Sequence, residues 1–402
     1  MEIPAKPKLM TVTRQGSIQS QGTPRKWLLI LVWLLTAIAV LPLVFQWRVP
    51  PPRKEITPQF VIGLRYLLAL GVCYWMYRVE RKRLSRSQAM VVAYLVFALT
   101  IITNIVHHYF VDLNAVFPNM SNLQWQELIQ QIVMQLRPDP YSYRFLPNCI
   151  VRWIELAGIN FAAARDIYRL VFVLLLFYVM YRYARLYTNY VGAILSMVLV
   201  AAVYPVSFEH YAGQLTDPLS HLSFLLAFIS LETGAFAAFL STLLIGSMAK
   251  ETVLALAGYY VLFCRSNPNY RLKAAVLCVA AALAYFGVRL PVQKGHMEYK
   301  QISGVSLDHV PINWAGTGVD PNGRTLFAIT AGAFLPFLLL GWKDTPRSLR
   351  SMTLFLLPVL FTSSLFFSWL HEARNYMPVV FVLAVVAARY LTGAGDKGES
   401  NP

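Results

Sequence analysis

Charged residues are scarce in this chain, and so is cysteine. Only 13% of its 402 residues are charged and 57% are hydrophobic, whereas a soluble domain has roughly 25% charged residues. The four cysteines have no zinc-site spacing with histidine, and the glycines form no phosphate-binding loop. The composition therefore excludes an ordinary soluble globular domain, and it argues against a disulfide framework, a zinc module and a nucleotide-binding domain.

What the chain does have is a series of long apolar runs. The first, LLILVWLLTAIAVLPLVF, is apolar on every face, which is typical of a membrane helix and not of an alternating barrel strand. We predict an all-α, polytopic transmembrane bundle of about 11–13 helices, some of them short or re-entrant. The predicted spans are 27–47, 60–77, 89–109, 167–187, 190–207, 218–232, 235–249, 252–263, 274–290, 325–341, 352–370 and 377–391.

The formal net charge of +16 follows the predicted topology. With the N-terminus inside, the inner segments hold 20 of the 35 basic residues but only 6 of the 19 acids. This is the positive-inside pattern of a multi-pass protein and not the footprint of a nucleic-acid binder. We expect a cell (inner) membrane location with both termini cytoplasmic. The first span is too long for a signal peptide, so we expect it to be retained.

The sequence divides into four parts. A polar tail, 1–26, precedes an N-terminal helix pair, 27–88, and a main transmembrane domain, 89–391, is followed by a second tail, 392–402. The main domain has two long external loops, 111–142 and 291–324. In the first, SNLQWQELIQQIVMQL has its apolar residues on one face, which predicts an amphipathic helix lying along the outer membrane surface. The second loop is long enough to fold over a site as a lid.

Histidine and acidic residues are concentrated on the external side of the predicted topology. All seven histidines and 13 of the 19 acids fall there, and ionisable groups at membrane depth usually have a function. Asp112 precedes the amphipathic helix and Asp139 follows it. Either carboxylate could act as a general base toward a hydroxyl, which makes them the candidate catalytic residues. In the alternative interpretation, each only caps or starts a turn, in VDLN and PDPY.

Two further segments carry candidate substrate-binding residues. Arg144 follows Tyr143 and suits a phosphate or carboxylate ligand, or else it pairs internally with Asp139 or Asp217. The segment EHYAGQLTDPLSH contributes Glu209, His210, Asp217 and His221. Asp217 and His221 share a helix face and could hold a divalent cation or a proton, but one aspartate and one histidine predict no metal site by themselves. A helix cap with a satisfied histidine is the alternative.

The last candidates interrupt apolar sequence. Lys250 and Glu251 break an apolar stretch that runs from Gly234 to Phe263, and we expect Lys250 to bind a substrate phosphate with Glu251 orienting it. The alternative is a pair that satisfies itself. Between the last two spans, the segment HEARNYMP supplies three more candidates. These are His371, Glu372 and Arg374. The arginine would clamp an anionic head group. In the alternative interpretation, the segment is an ordinary short loop.

The order of these motifs resembles the bacterial integral-membrane glycosyltransferases of the GT-C type. The resemblance covers most of 89–391 and depends on five short motifs on one side of the membrane. They are the loop with its early Asp112, YRFLP, the Asp217-Pro218 pair, KET and RNYMP. The chain departs from the family in the loop after its first span, which offers only Glu55, so we treat the first two spans as an addition.

The resemblance implies transfer of a sugar from a polyprenyl-phosphate carrier to an acceptor hydroxyl on a glycan, lipid or protein at the external face. It implies Asp112 as the base, with Asp139 second, and Lys250, Arg374 and Arg144 as groups that grip the donor phosphate. Partners would be the carrier-linked sugar, the acceptor and membrane lipid, with no nucleic acid. Two alternatives stay open: a transporter or flippase of a lipid-linked or anionic solute, and a polymerase or ligase of lipid-linked glycans.

Reporter fusions test the predicted topology. Green fluorescent protein fused after Arg83 or Ser266 should fluoresce, because both positions are predicted to be cytoplasmic, whereas alkaline phosphatase should be active only when fused after Ser142 or Lys300. The opposite pattern would show that the orientation is wrong, and mixed signals at one position would show that a span is missing.

Overall fold

The computed structural model describes residues 58–107, 144–205, 215–293, 321–368 and 372–393, with positions 310, 311, 313 and 370. Within these ranges the architecture is all-α, with no strand. The helices are α1 (Pro58–Glu80), α2 (Arg86–His107), α3 (Phe145–Leu156), α4 (Phe161–Ala184), α5 (Tyr190–Val203), α6 (Thr216–Glu232), α7 (Phe236–Ala249), α8 (Ala255–Phe263), α9 (Tyr270–Gln293), α10 (Pro321–Gly341), α11 (Arg347–Phe367) and α12 (Met377–Leu391). Two 3-10 turns, Glu251–Leu254 and Ala373–Tyr376, precede α8 and α12.

Each predicted span in the described ranges coincides with a helix, so the all-helical prediction is confirmed there. Four segments are long and apolar enough to cross a membrane, Arg86–Val106, Tyr270–Gly287, Arg347–Phe366 and Ala373–Leu391, and they indicate a membrane protein. That the remaining helices also span stays a prediction. The span 27–47, the amphipathic helix, the first tail and most of the second tail lie outside the described residues, as does most of the second external loop.

Side-chain caps fix the starts of two helices. The side chain of Asn160 accepts a hydrogen bond from the backbone N–H of Ala163, and Asn189 does the same for Gly192. Each amide thereby satisfies one of the N–H groups that a helix start leaves without a partner. The first cap starts α4 at Phe161, six residues before the predicted span 167–187, and the second starts α5 at Tyr190, where the span 190–207 is predicted to begin.

The core is built around α4, α6 and α12. Helix α6 is buried from Thr216 to Ser230 and packs against α4, α7 and α12. Helix α12 packs in addition against α5, α10 and α11. By contrast, among the described helices α9 packs closely against α7 and α8 alone, and most of its surface is exposed. The start of α6, the end of α7 and the turn before α12 are consequently brought to one end of the bundle.

A glycine sets the approach of α7 to α6. A Cβ added to Gly246 would lie 2.8 Å from the Cβ of Ser223 on α6 and 2.9 Å from Cγ1 of Val253 in the 3-10 turn. Both distances are shorter than normal contact, so only glycine allows this packing. Because Gly246 lies four residues before Lys250, the close approach also places Lys250 beside α6.

Substitution of Gly246 tests this close approach. Gly246→Ala should lower the free energy of unfolding by about 1–3 kcal/mol, because the added methyl group forces α6 and α7 apart. Gly258→Ala is the matched control, since its Cβ would lie 3.4 Å from Cζ of Phe355 and should cost nothing or stabilise α8 slightly. Denaturation of the purified protein in mixed micelles measures both, and equal effects would contradict the packing.

Candidate functional site

Three separate segments meet at the carboxylate of Asp217, in the first turn of α6. Its Oδ1 accepts a hydrogen bond from Nζ of Lys250 at 3.0 Å, and its Oδ2 accepts one from Nη1 of Arg374 at 3.0 Å. Lys250 follows α7 and Arg374 lies in the 3-10 turn before α12. One carboxylate therefore bridges two cations, and it ties together three chain reversals at the same end of the bundle.

These three charges are almost completely buried. The side chain of Asp217 is 0% exposed, that of Lys250 7% and that of Arg374 6%. Burial lowers the pKa of Lys250, while the neighbouring carboxylate of Asp217 opposes that shift. Removing one member of such a group leaves an uncompensated charge in a medium of low polarity, so the three are expected to act as a unit.

Polar groups on both sides of the last turn complete the cluster. Oε2 of Glu372 accepts hydrogen bonds from Nη2 of Arg374 at 3.1 Å, Nδ2 of Asn375 at 2.8 Å and Oγ of Ser368 at 3.0 Å. Oδ1 of Asn375 accepts one from Lys250 at 2.9 Å. The sequence prediction missed Asn375 and Ser368, although the adjacency of Asn375 to Arg374 in HEARNYMP was a usable signal.

His221 lies one helical turn after Asp217 and supports the turn that carries Arg374. Its Nε2 is 3.1 Å from the backbone oxygen of Arg374, and its Nδ1 is 3.2 Å from the hydroxyl of Tyr204. With Nε2 donating to the carbonyl, the neutral ring accepts from Tyr204 at Nδ1. This geometry matches the alternative of a satisfied histidine. Among the described residues, no group of three or more His, Cys, Asp or Glu side chains is placed to hold a metal ion.

A second ion pair lies beside the cluster and is more exposed. Arg144, just before α3, donates from Nε to Oε2 of Glu251 at 3.0 Å and from Nη2 to Oε1 at 2.6 Å. The two side chains are 14% and 23% exposed. The self-satisfied Lys250–Glu251 pair is thus not what forms, because Lys250 binds Asp217 and Glu251 binds Arg144. Among the described residues, Arg144 therefore pairs with Glu251 and not with Asp217, while its expected pairing with Asp139 stays a prediction because Asp139 lies outside those residues.

The charges balance across the whole arrangement, which we call the paired-charge cluster. It consists of three cations and three carboxylates, Arg144, Lys250 and Arg374 with Asp217, Glu251 and Glu372. When all six are ionised their formal charges cancel. Among the described residues, each cation of the cluster has a carboxylate partner, and the pair of Arg144 with Glu251 is the most exposed part.

The described structure brings together every predicted site residue that it contains. Arg144, Asp217, His221, Lys250, Glu251, Glu372 and Arg374 all lie at one end of the bundle. Five predicted residues lie outside the described ranges: Asp112, Asp139, Glu209, His210 and His371.

Comparison with known proteins found no matching family model, no similar curated protein and no similar solved structure.

Replacing Asp217 tests whether the buried charges act as a unit. Asp217→Asn should cost about 3–5 kcal/mol of unfolding free energy, because Lys250 and Arg374 lose their shared carboxylate. Adding Lys250→Met should recover part of this loss, since Arg374 keeps Glu372 as its partner. Asp344→Asn, at an exposed residue, is the control and should cost about 0–1 kcal/mol. Equal losses at both positions, or strictly additive ones, would contradict the shared ion pair.

Proposed function

We propose that the protein is a GT-C-like membrane glycosyltransferase that moves a sugar from a polyprenyl-phosphate carrier to an acceptor hydroxyl at the external face. The observation that carries the proposal is the convergence of Lys250, Arg374 and Arg144 at one end of an apolar bundle. A carrier phosphate arriving through the membrane needs cations that are held at membrane depth, where a solitary charge is costly.

The burial gradient supports a role in anion binding. Arg144 and Glu251 are partly exposed, whereas Asp217 behind them is fully buried. A phosphate has the acceptor oxygens to take over the donors that Glu251 and Asp217 now use. On this proposal, the carboxylates hold the cations in position before the substrate binds. Three cations without carboxylates would repel each other and would have to be brought together when the phosphate arrives.

The proposed reaction requires one base and one leaving-group site. The acceptor hydroxyl gives its proton to a carboxylate, its oxygen bonds to the anomeric carbon, and the bond from that carbon to the carrier phosphate breaks. The polyprenyl phosphate leaves with the bonding electrons and is stabilised by the cations. Asp112 is proposed as the base, with Asp139 second, as the motif resemblance implies. Both lie outside the described residues.

A transporter or flippase of a lipid-linked or anionic solute is the second candidate. One observation favours it: α7 ends at Ala249, Lys250 is extended with φ −161° and ψ 124°, and a 3-10 turn precedes α8. Interrupted helices that carry charged groups are typical of transporter binding sites. The same cations would then hold the carrier phosphate while it moves, without transfer of the sugar.

Transfer of radiolabelled sugar from polyprenyl-phosphate donors to a glycan or lipid acceptor, by the purified protein in lipid, tests the proposal. Asp112→Asn should reduce transfer by about 10²–10⁴-fold because the base is lost. Lys250→Ala should reduce it by about 10²–10³-fold because the leaving phosphate loses a cation. Folding of Lys250→Ala is checked by its unfolding midpoint, since Arg374 still binds Asp217 in this variant.

The controls separate the two functions. Asp166→Asn changes an external carboxylate that pairs with Arg169 outside the cluster and should transfer normally. If Asp139→Asn and not Asp112→Asn abolishes transfer, Asp139 is the base. If the wild type transfers no sugar from any donor but moves the carrier across vesicles in a Lys250-dependent manner, the enzyme proposal is wrong and the transporter is correct.

A further inference from the structure

A cavity lies at the other end of α6 and α7 from the paired-charge cluster. Its volume is about 240 Å³, and it is formed by the end of α6, the start of α7, α8 and the segment that leads into α9. Helix α6 has 17 residues, so the cavity and Asp217 are separated by roughly 20 Å at 1.5 Å per residue. It is therefore a separate feature, and the proposed function makes no use of it.

The lining combines aromatic rings with one cation. Phe236, Phe239 and Tyr260 form one wall, and Asn267 and Lys273 bring polar groups to it. Nζ of Lys273 lies 5.5 Å from the centroid of the Phe236 ring, a cation–π distance. No carboxylate lines the cavity, and the described residues offer Lys273 no ion-pair partner. The wall thus favours a ligand with both an anionic and an apolar part.

A buried hydroxyl at the cavity also points to a ligand. Tyr260 is 3% exposed, and its hydroxyl has no partner at hydrogen-bond geometry among the described residues, although Asn267 lies close to it. Helix α7 also begins at the cavity without a side-chain cap, so the positive end of its dipole adds to the charge of Lys273. Buried donors without partners are costly, and a ligand oxygen would satisfy them.

The position of the cavity in the topology indicates the source of that ligand. Arg265, Arg271 and Lys273 flank it, and this is the end of the bundle that the positive-inside pattern assigns to the cytoplasmic leaflet. Anionic phospholipids are concentrated there, and basic pockets between helices on this side bind their head groups.

The surface of α9 next to Lys273 offers a place for the acyl chains of a lipid. On α9, an exposed apolar stripe leads away from the cavity and repeats every three or four residues. Its members are Leu272, Val276, Val279, Leu283 and Phe286, between 38% and 67% exposed. Val276 lies one turn after Lys273. A head group in the cavity would therefore place its chains along α9, the helix with the least buried surface among the candidate spans.

We propose that this cavity binds the phosphate of an anionic phospholipid of the cytoplasmic leaflet. Lys273 pairs with the phosphate, the Tyr260 hydroxyl and the Asn267 amide donate to its oxygens, and the acyl chains lie along the stripe on α9.

Native mass spectrometry of the delipidated full-length protein, titrated with phosphatidylglycerol or phosphatidylcholine, tests this proposal. Wild type should retain phosphatidylglycerol in preference to phosphatidylcholine. Lys273→Ala should weaken phosphatidylglycerol binding by about tenfold, because it removes a charge-assisted hydrogen bond to the phosphate. Tyr260→Phe, which removes only the hydroxyl, should weaken it by a smaller factor. Arg271→Ala is the matched control, because Arg271 is exposed and does not line the cavity.

Three outcomes would overturn the proposal. Equal loss in Lys273→Ala and Arg271→Ala would show that the lipid responds only to general surface charge. Equal retention of the two lipids by wild type would show that the cavity does not recognise the anion. Displacement of phosphatidylglycerol by millimolar inorganic phosphate would show that a free phosphate, and not a lipid, is the ligand. The spectrum reports folded protein in each case, so an unfolded variant is not mistaken for one that has lost binding.

Discussion

The ion pairs of Asp217 with Lys250 and Arg374 are the constraint on which the arrangement of this end of the bundle depends. They join the start of α6, the end of α7 and the turn before α12, so none of these can move without exposing or stranding a buried charge. The packing around these ion pairs also holds the three segments in place. Gly246 admits the close approach of α7 to α6, and His221 holds the backbone of the turn that contains Arg374.

Charge balance gives the cluster two properties that a group of cations alone would lack. Three carboxylates stabilise three largely buried cations, and in the proposed function each carboxylate oxygen occupies a place that an oxygen of the bound anion could take. Binding of an anion would therefore release Glu251 or Asp217, and it would change the forces between the helix ends that they join. In the proposed function, binding of the donor phosphate and rearrangement of the ion pairs consequently occur together.

The two ends of α6 and α7 have complementary chemistry. One end has buried ion pairs that are balanced in charge. The other has a cavity lined by the cation Lys273, with no carboxylate among its described lining residues, and an apolar stripe leads from it. The same two helices form both ends, so the packing around Gly246 that positions Lys250 also fixes the start of α7 at the cavity.

The sequence by itself determined the helices and their approximate limits, because lipid leaves backbone groups no partner outside the helix and long apolar runs cannot meet that demand otherwise. It also identified the candidate site residues, since Lys250 and Arg374 interrupt or border apolar runs where charge is costly. Only the tertiary structure decided how they pair. Arg144 binds Glu251 across 107 positions and Arg374 binds Asp217 across 157, and no local pattern encodes contacts between segments so far apart. The roles of Asn375 and Ser368 follow from the same packing, because a neutral side chain becomes part of a site only when folding places a buried charge beside it.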